Sequence, residues 1–469
     1  MVPVPAEIAV RRSALIAATM GSFLTPFVGS SVNVALPAIG AGLRMDSLQL
    51  SWVATGFLLS SAVCLVPFGR VADMIGRKRI FLLGMTLFTV SSIGCGLAWS
   101  SNSLIGFRVL QGSGAAMLFG TGLAILTSVY PPRERGRAIG LNASAVYIGL
   151  SVGPFVGGVL TQQWGWRSVF LSSAMLGLVA ILVVTYGLKG EWTGTPGGRF
   201  DFVGSMIYAF TLTTAMLGLS ALPTARGALL VIVAVIGAAM FSTWERRVAN
   251  PVLDLPLLAG NALFARSNLA ALINYSATFG ATFLLSLYLQ SVRGFAPRTT
   301  GLILLTQSVA MAVVSPFAGW LSDRVEPRAV ATAGMALTVV GLGCFVLVGL
   351  HTPTPAIVVL LVTLGVGFGL FSSPNTNAVM SSVEKTHYGV ASATLGTMRL
   401  LGQIVSMGIA AATLGVFVGR ATITPALHAP FMSAMHVAFI LFAAFCVAGV
   451  FASLSRGNVR RPSFAPKQQ

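Results

Sequence analysis

Fourteen times along 469 residues a run of about 20 mostly apolar residues starts and stops, and nothing else in the sequence constrains the fold as much. A run of that length, wound as a helix, crosses the roughly 30 Å hydrocarbon core of a bilayer. The runs cover 13–38, 50–69, 80–99, 104–129, 138–161, 168–188, 201–222, 227–244, 267–290, 300–321, 329–350, 355–374, 388–418 and 433–455. Glycines and prolines inside them are compatible with spanning, because neighbouring helices satisfy the backbone groups that they free. Only 9% of the residues are charged and 55% are hydrophobic, so the chain cannot present the water-facing surface of a soluble domain. The expected fold class is an all-α membrane protein with 14 transmembrane helices.

The net charge of +18 would suit a nucleic-acid binder, but its distribution argues otherwise. Of 29 Lys and Arg, 21 fall on the side of the spans that carries both termini, six on the other side, and two, Arg108 and Arg399, inside spans. By the positive-inside rule both termini are cytoplasmic, and the charge is a topology signal with some attraction to anionic lipid. Arg11 and Arg12 precede a run that continues to about Pro37, too long for a signal-peptide core, so it reads as the first span. The four cysteines lie singly in apolar runs and the four histidines near span ends. That pattern implies neither a disulfide framework nor a metal site, and no cofactor is expected.

The polar segment "GRVADMIGRKR" (69–79) follows the second span, and a thinner echo, "GWLSDRVEPR" (319–328), follows the tenth. Both read G-x-x-x-D before a basic stretch and a new span. Two six-span halves with an inserted pair make the two positions equivalent, and repeated halves with a site between them suit a rocking transporter. The division expected is 1–190 for the first bundle, 191–262 for the inserted pair and its linkers, and 263–469 for the second bundle with a short tail.

These motifs resemble the major facilitator superfamily, in particular its fourteen-span drug:proton antiporter branch. The resemblance runs over nearly the whole chain. "GRVADMIGRKR" is similar to the superfamily's G-x-L-a-D-r-x-G-r-k signature, "RVLQGSGAA" (108–116) to the span-4 R-x-x-q-G-x-g motif, and "GLSVGPFVGG" (149–158) to the span-5 motif associated with export. "VNVALP" (32–37), "QLSWVATGF" (49–57) and "VASATLGTMRLLGQ" (390–403) also resemble the branch. The resemblance implies a conformational latch at Gly69, Asp73, Gly76 and Arg77, with Asp323 as its counterpart in the second half. On the residues alone, Asp73 and Arg77 can pair across one turn, and the segment also anchors topology. Gly149, Gly153 and Gly157 bare one helix face for close packing, with Pro154 able to kink the helix and Gly158 beside it. Static packing and a flexing contact between halves both fit.

The polar side chains within spans are candidates for substrate contact or coupling: Asn33, Arg108, Gln111, Asn142, Asn274, Gln307, Arg399 and Gln403. A charge at membrane depth faces a partner or a cavity, whereas amides also glue helices. Where the branch carries an acid in its first span this chain has Val28, and none of its 11 Asp and Glu lies deep in a span. Two functions therefore stand side by side. One is a secondary active transporter of the prokaryotic plasma membrane, exporting a hydrophobic or amphiphilic small molecule by alternating access in exchange for protons. The other is a facilitator or transporter of an anionic or lipid-like metabolite without carboxylate-based coupling. The expected partners are a small-molecule substrate, protons and the bilayer, with no nucleic acid and a functional monomer. An enzyme would need converging His or acidic side chains near one face, and direct ATP drive a GxxxxGK[ST] loop; the sequence has neither.

Overall fold

The computed structural model describes residues 5–131, 134–193, 200–248, 255–384, 388–419 and 421–456, and every regular element in them is helical. The helices are α1 (Pro5–Leu43), α2 (Ser47–Ile75), α3 (Arg77–Gly96), α4 (Ser101–Val129), α5 (Arg135–Trp164), α6 (Arg167–Gly187), α7 (Phe202–Ser220) and α8 (Ala225–Glu245), followed by a short α9 (Leu255–Gly260). The second series is α10 (Ala262–Leu287), extended by a π turn to Val292, then α11 (Pro297–Arg324), α12 (Pro327–Phe345), α13 (Thr354–Ser381), α14 (Tyr388–Phe417) and α15 (His428–Leu454). Fourteen of them are long and apolar enough to cross a membrane, and they coincide with the 14 apolar runs.

Local chemistry sets several starts. Asp46 and Gln49 make a reciprocal capping box at α2, and Ser100 and Ser103 make one at α4. Asp201, Thr224 and Asn261 cap α7, α8 and α10. Residues 69–79, which fall between the second and third apolar runs, are two helix ends meeting at Gly76, whose φ of 129° suits glycine best.

The first six helices pack on one another, led by α1 on α5, α2 on α4 and α3 on α4; α10 to α15 do the same, led by α11 on α13, α12 on α13 and α10 on α14. Between these two groups the main contacts are α5 with α11 and α2 with α14. The pair α7–α8 stands at the edge: α7 lies on α2 and α14, and α8 packs chiefly on α7. Only 17% of the apolar stretch of α8 is buried, against 72% for α2. Large apolar side chains such as Met175, Val235 and Leu347 project outward, where a bilayer supplies their solvent. Below, the near face is the one where α1 begins and α15 ends, and the far face is the opposite one.

Candidate functional site: a cavity between the two helix groups

A cavity of about 720 Å³ lies between α5, α11 and α13. Helix α5 lines it with Ser144, Tyr147, Ile148, Ser151 and Val152, α11 with Val309, Val313, Ser315 and Pro316, and α13 with Ser373 and Thr376. Apolar side chains and hydroxyls make up its wall, and no Asp, Glu, Lys, Arg or His is among the lining residues. Its lining reaches Gly140, about one and a half turns from the near-face end of α5, so the cavity belongs to the near half of the molecule.

Toward the far face the two groups close over it. A Cβ on Gly158 would stand 2.5 Å from the Pro297 carbonyl oxygen, and one on Gly301 would stand 2.2 Å from that of Pro154, so two backbones touch where only glycine fits. The Ser151 hydroxyl donates to the Ser308 carbonyl (3.2 Å), and the Arg298 amide donates to Gln162 Oε1 (3.3 Å). Prolines prepare two further contacts. Pro37 has no N–H for the carbonyl of Asn33, and Pro154 none for that of Leu150. Ser286 on α10 donates to the first at 2.6 Å, and Ser308 on α11 to the second at 3.4 Å. Gln290 Nε2 adds a bond to the Val34 carbonyl (2.8 Å), and Ser47 Oγ one to the Gly419 carbonyl (2.6 Å).

The glycine motif of α5 is thus divided. Gly149, Gly153 and Gly157 press on Phe23, Ser30 and Ser31 of α1, inside their own helix group; Pro154 and Gly158 alone of the five meet the other group.

The two arginines within spans differ. Arg108 is 1% exposed. Its Nε donates to the Val53 carbonyl (2.9 Å), its Nη1 to Gln111 Oε1, and its guanidinium lies 4.3 Å from the centroid of the Phe57 ring. Gln111 passes the chain on to Ser92 Oγ at 2.6 Å. This network joins α2, α3 and α4 and does not line the cavity. Arg399, on α14, gives Nη2 to Thr376 Oγ1 at 2.8 Å, and Thr376 is part of the cavity wall. Its Nε is buried without a hydrogen-bond partner, and no carboxylate pairs with it among the described residues. Tyr275 lies below it at 5.7 Å and packs edge-on to Phe368, while the Tyr147 hydroxyl is 3.3 Å from Ser372 Oγ.

The remaining expected residues fall elsewhere. Asn33, Asn142 and Asn274 are buried, each with at least one amide atom lacking a partner in the protein, and Gln307 and Gln403 are half-buried; none of the five lines the cavity. Asp73 does pair with Arg77 (2.7 Å), which also bonds the Ala124 carbonyl at 3.0 Å and Ser128 Oγ. Glu191 accepts from the Lys78 amide at 2.8 Å and the Trp192 carbonyl from the Arg77 amide at 2.8 Å, which ties this segment to the linker after the first helix group. Gly69 lies against Gly120 of α4. The side chain of Asp323 lies outside the described residues. Val28 is fully buried among apolar neighbours.

Two features escaped the sequence reading. The run "SSPNTN" (372–377) supplies Ser372, Ser373 and Thr376, and so many polar residues in succession within a span were a readable signal. Arg456 follows the last apolar run, where a water-exposed tail would begin, yet it is 3% exposed, bonded through Nη1 to Asn375 Oδ1 and through Nη2 to Ser453. Burial, helped by neighbouring Arg328, pushes its pKa down to about 10, so it stays a cation at neutral pH.

The Major Facilitator Superfamily profile matches residues 18–406 and 267–469. The chain is 30% identical over 387 residues to the riboflavin transporter RibZ of Clostridioides difficile (strain 630), covering 82% of this chain and 84% of that protein. It is 33% identical over 424 residues to the multidrug resistance protein Stp of Mycobacterium tuberculosis (strain CDC 1551 / Oshkosh), covering 88% of this chain and 78% of that one. Among solved structures, a bacterial homolog to the human lysosomal transporter Spinster, in an inward-facing and unoccupied conformation, superposes with a TM-score of 0.70 at 16% identity, over 97% of each chain.

Proposed function

This chain belongs to the major facilitator superfamily, a family of transporters and not of enzymes, and from that membership we propose that it is a secondary active exporter of a hydrophobic or amphiphilic small molecule. The observation that carries the proposal is the cavity: apolar, lined by hydroxyls, placed between two helix groups, and sealed on one side only by contacts that rigid rocking can break. The two groups, 1–190 and 263–469, act as the rocking bodies, with 191–262 as a peripheral addition. On this reading the molecule is a monomer in the inner membrane of a prokaryote with both termini in the cytoplasm, and the excess of basic residues on the near side supports that orientation. In that orientation the structure is inward-facing, and the Asp73–Arg77 segment is poised to hold the opposite state. The relatives named above as transporting riboflavin or conferring multidrug resistance fit a cargo of this size and character.

Protons are the coupling ion in the leading reading. The second reading, a facilitator or a transporter of an anionic or lipid-like metabolite, is favoured by the acid-free cavity and by Val28 in the place of the branch's first-span acid. Transport in proteoliposomes under an imposed pH gradient decides between them. Cargo movement linked to a change of internal pH is expected for antiport, and movement indifferent to the gradient would leave the facilitator.

A further inference from the structure

We propose that Arg399 and Thr376, with the Tyr147–Ser372 pair beside them, form a headgroup site for a carboxylate-bearing amphiphile whose apolar body occupies the rest of the cavity. The inference rests on that cavity being the transport site. A guanidinium within a membrane span is costly unless it is paired, and the two arginines within spans meet that cost differently. Arg108 is spent on protein groups that do not line the cavity. Arg399 has one hydrogen bond, to a hydroxyl on the wall, and a buried Nε with no partner. What would complete it is an anion, and none of the cavity's lining residues supplies one.

Thr376 links that charge to the cavity. Its Oγ1 accepts from Arg399 and donates to the Ser372 carbonyl at 2.8 Å. A carboxylate entering the cavity draws the Thr376 proton to itself, and the donor is polarised by the cation bonded behind it. The Tyr147 hydroxyl is a second donor on the facing wall, joined to the same turn of α13 through Ser372. Arg399 is held over Tyr275, itself packed edge-on by Phe368, so the cation is placed before cargo arrives. Ile148, Val152, Val309 and Val313 offer the apolar body its surface, and a cavity of about 720 Å³ suits a drug-sized molecule. A cationic amphiphile of the same shape meets an uncompensated positive charge there.

Three probes with one fluorophore test this on the purified full-length protein: dansylglycine, its neutral amide dansylglycinamide, and the cation dansylcadaverine. Dansylglycine is expected to bind at least about tenfold more tightly than either of the others. Arg399→Gln and Thr376→Val should each reduce that preference to within about threefold, while dansylglycinamide still binds each variant saturably, which reports an intact cavity; Arg399→Lys and Thr376→Ser should keep most of it. Equal binding of the three probes by the unaltered protein would overturn the proposal, as would a preference surviving in both Arg399→Gln and Thr376→Val. Displacement of dansylglycine by phosphatidylglycerol but not by excess decanoate would overturn it too, in favour of a lipid phosphate. Because these are equilibrium measurements without a gradient, a charge preference without flux would sink the transport reading and leave the site. Flux without charge preference would do the reverse.

Discussion

A cation in a span can be satisfied by the protein or left for something else, and replacing it gives opposite results in the two cases. Arg108→Leu strips partners from the Val53 carbonyl and Gln111, at roughly 1.5–3 kcal/mol for each bond to a charged group, and should lower the melting temperature in detergent by several degrees. Arg399→Leu removes a half-satisfied guanidinium and should leave the melt unchanged or raise it. A matched pair of melts checks both, and equal losses would mean that Arg399 is as engaged as Arg108. The sequence placed both arginines inside spans, with Gln111 one turn on from Arg108, but not the partners 55 and 23 positions away. Arg456 escaped for the same reason. Its position in the chain suits a tail, while the pull of Asn375 and Ser453 draws it back among the helices.

At the scale of helices, the far-face seal is made of glycines that let backbones touch and serines that take carbonyls freed by proline. Cysteines at Gln162 and Arg298 should cross-link readily in a background without native cysteines, because these positions are in hydrogen-bond contact. Gly301→Val, which drives side-chain atoms into the Pro154 carbonyl, should abolish that cross-link and open the far face. Ser286→Ala is gentler. Losing one hydrogen bond worth about 1 kcal/mol should shift the closed population about fivefold, seen as slower cross-linking of the same pair. Prolines and glycines were visible in the sequence, and so was the bare face of α5. Which neighbour each glycine meets was not. Gly149, Gly153 and Gly157 turn to α1 and Gly158 to α11, and one helix carries both contacts because consecutive residues point about 100° apart.

Over the whole molecule the inserted pair is the test of which parts make the transporter. Replacing residues 195–250 with a flexible linker removes the bond from the Tyr208 hydroxyl to the Ala62 carbonyl, the contact of Leu219 with Gly408 and the rest of the packing of α7 on α2 and α14, whereas α8 packs chiefly on α7 itself. The shortened chain should elute as a monodisperse species and bind dansylglycinamide, with a lower melting temperature. Loss of binding would make the pair part of the cavity's support. The number and order of the membrane helices were determined by the sequence alone, since a bilayer demands about 20 apolar residues per crossing and a helix satisfies its own backbone within one segment. The absence of deep carboxylates was legible too, being a matter of which residues occur where. The tertiary structure alone decided that α5, α11 and α13 enclose a cavity, that it lies toward the near face, and that Thr376 and not Asn142 or Gln307 lines it. Between helices buried in lipid the packing energy comes from shape and a few hydrogen bonds, and those depend on which faces meet, not on the order of residues along any one helix.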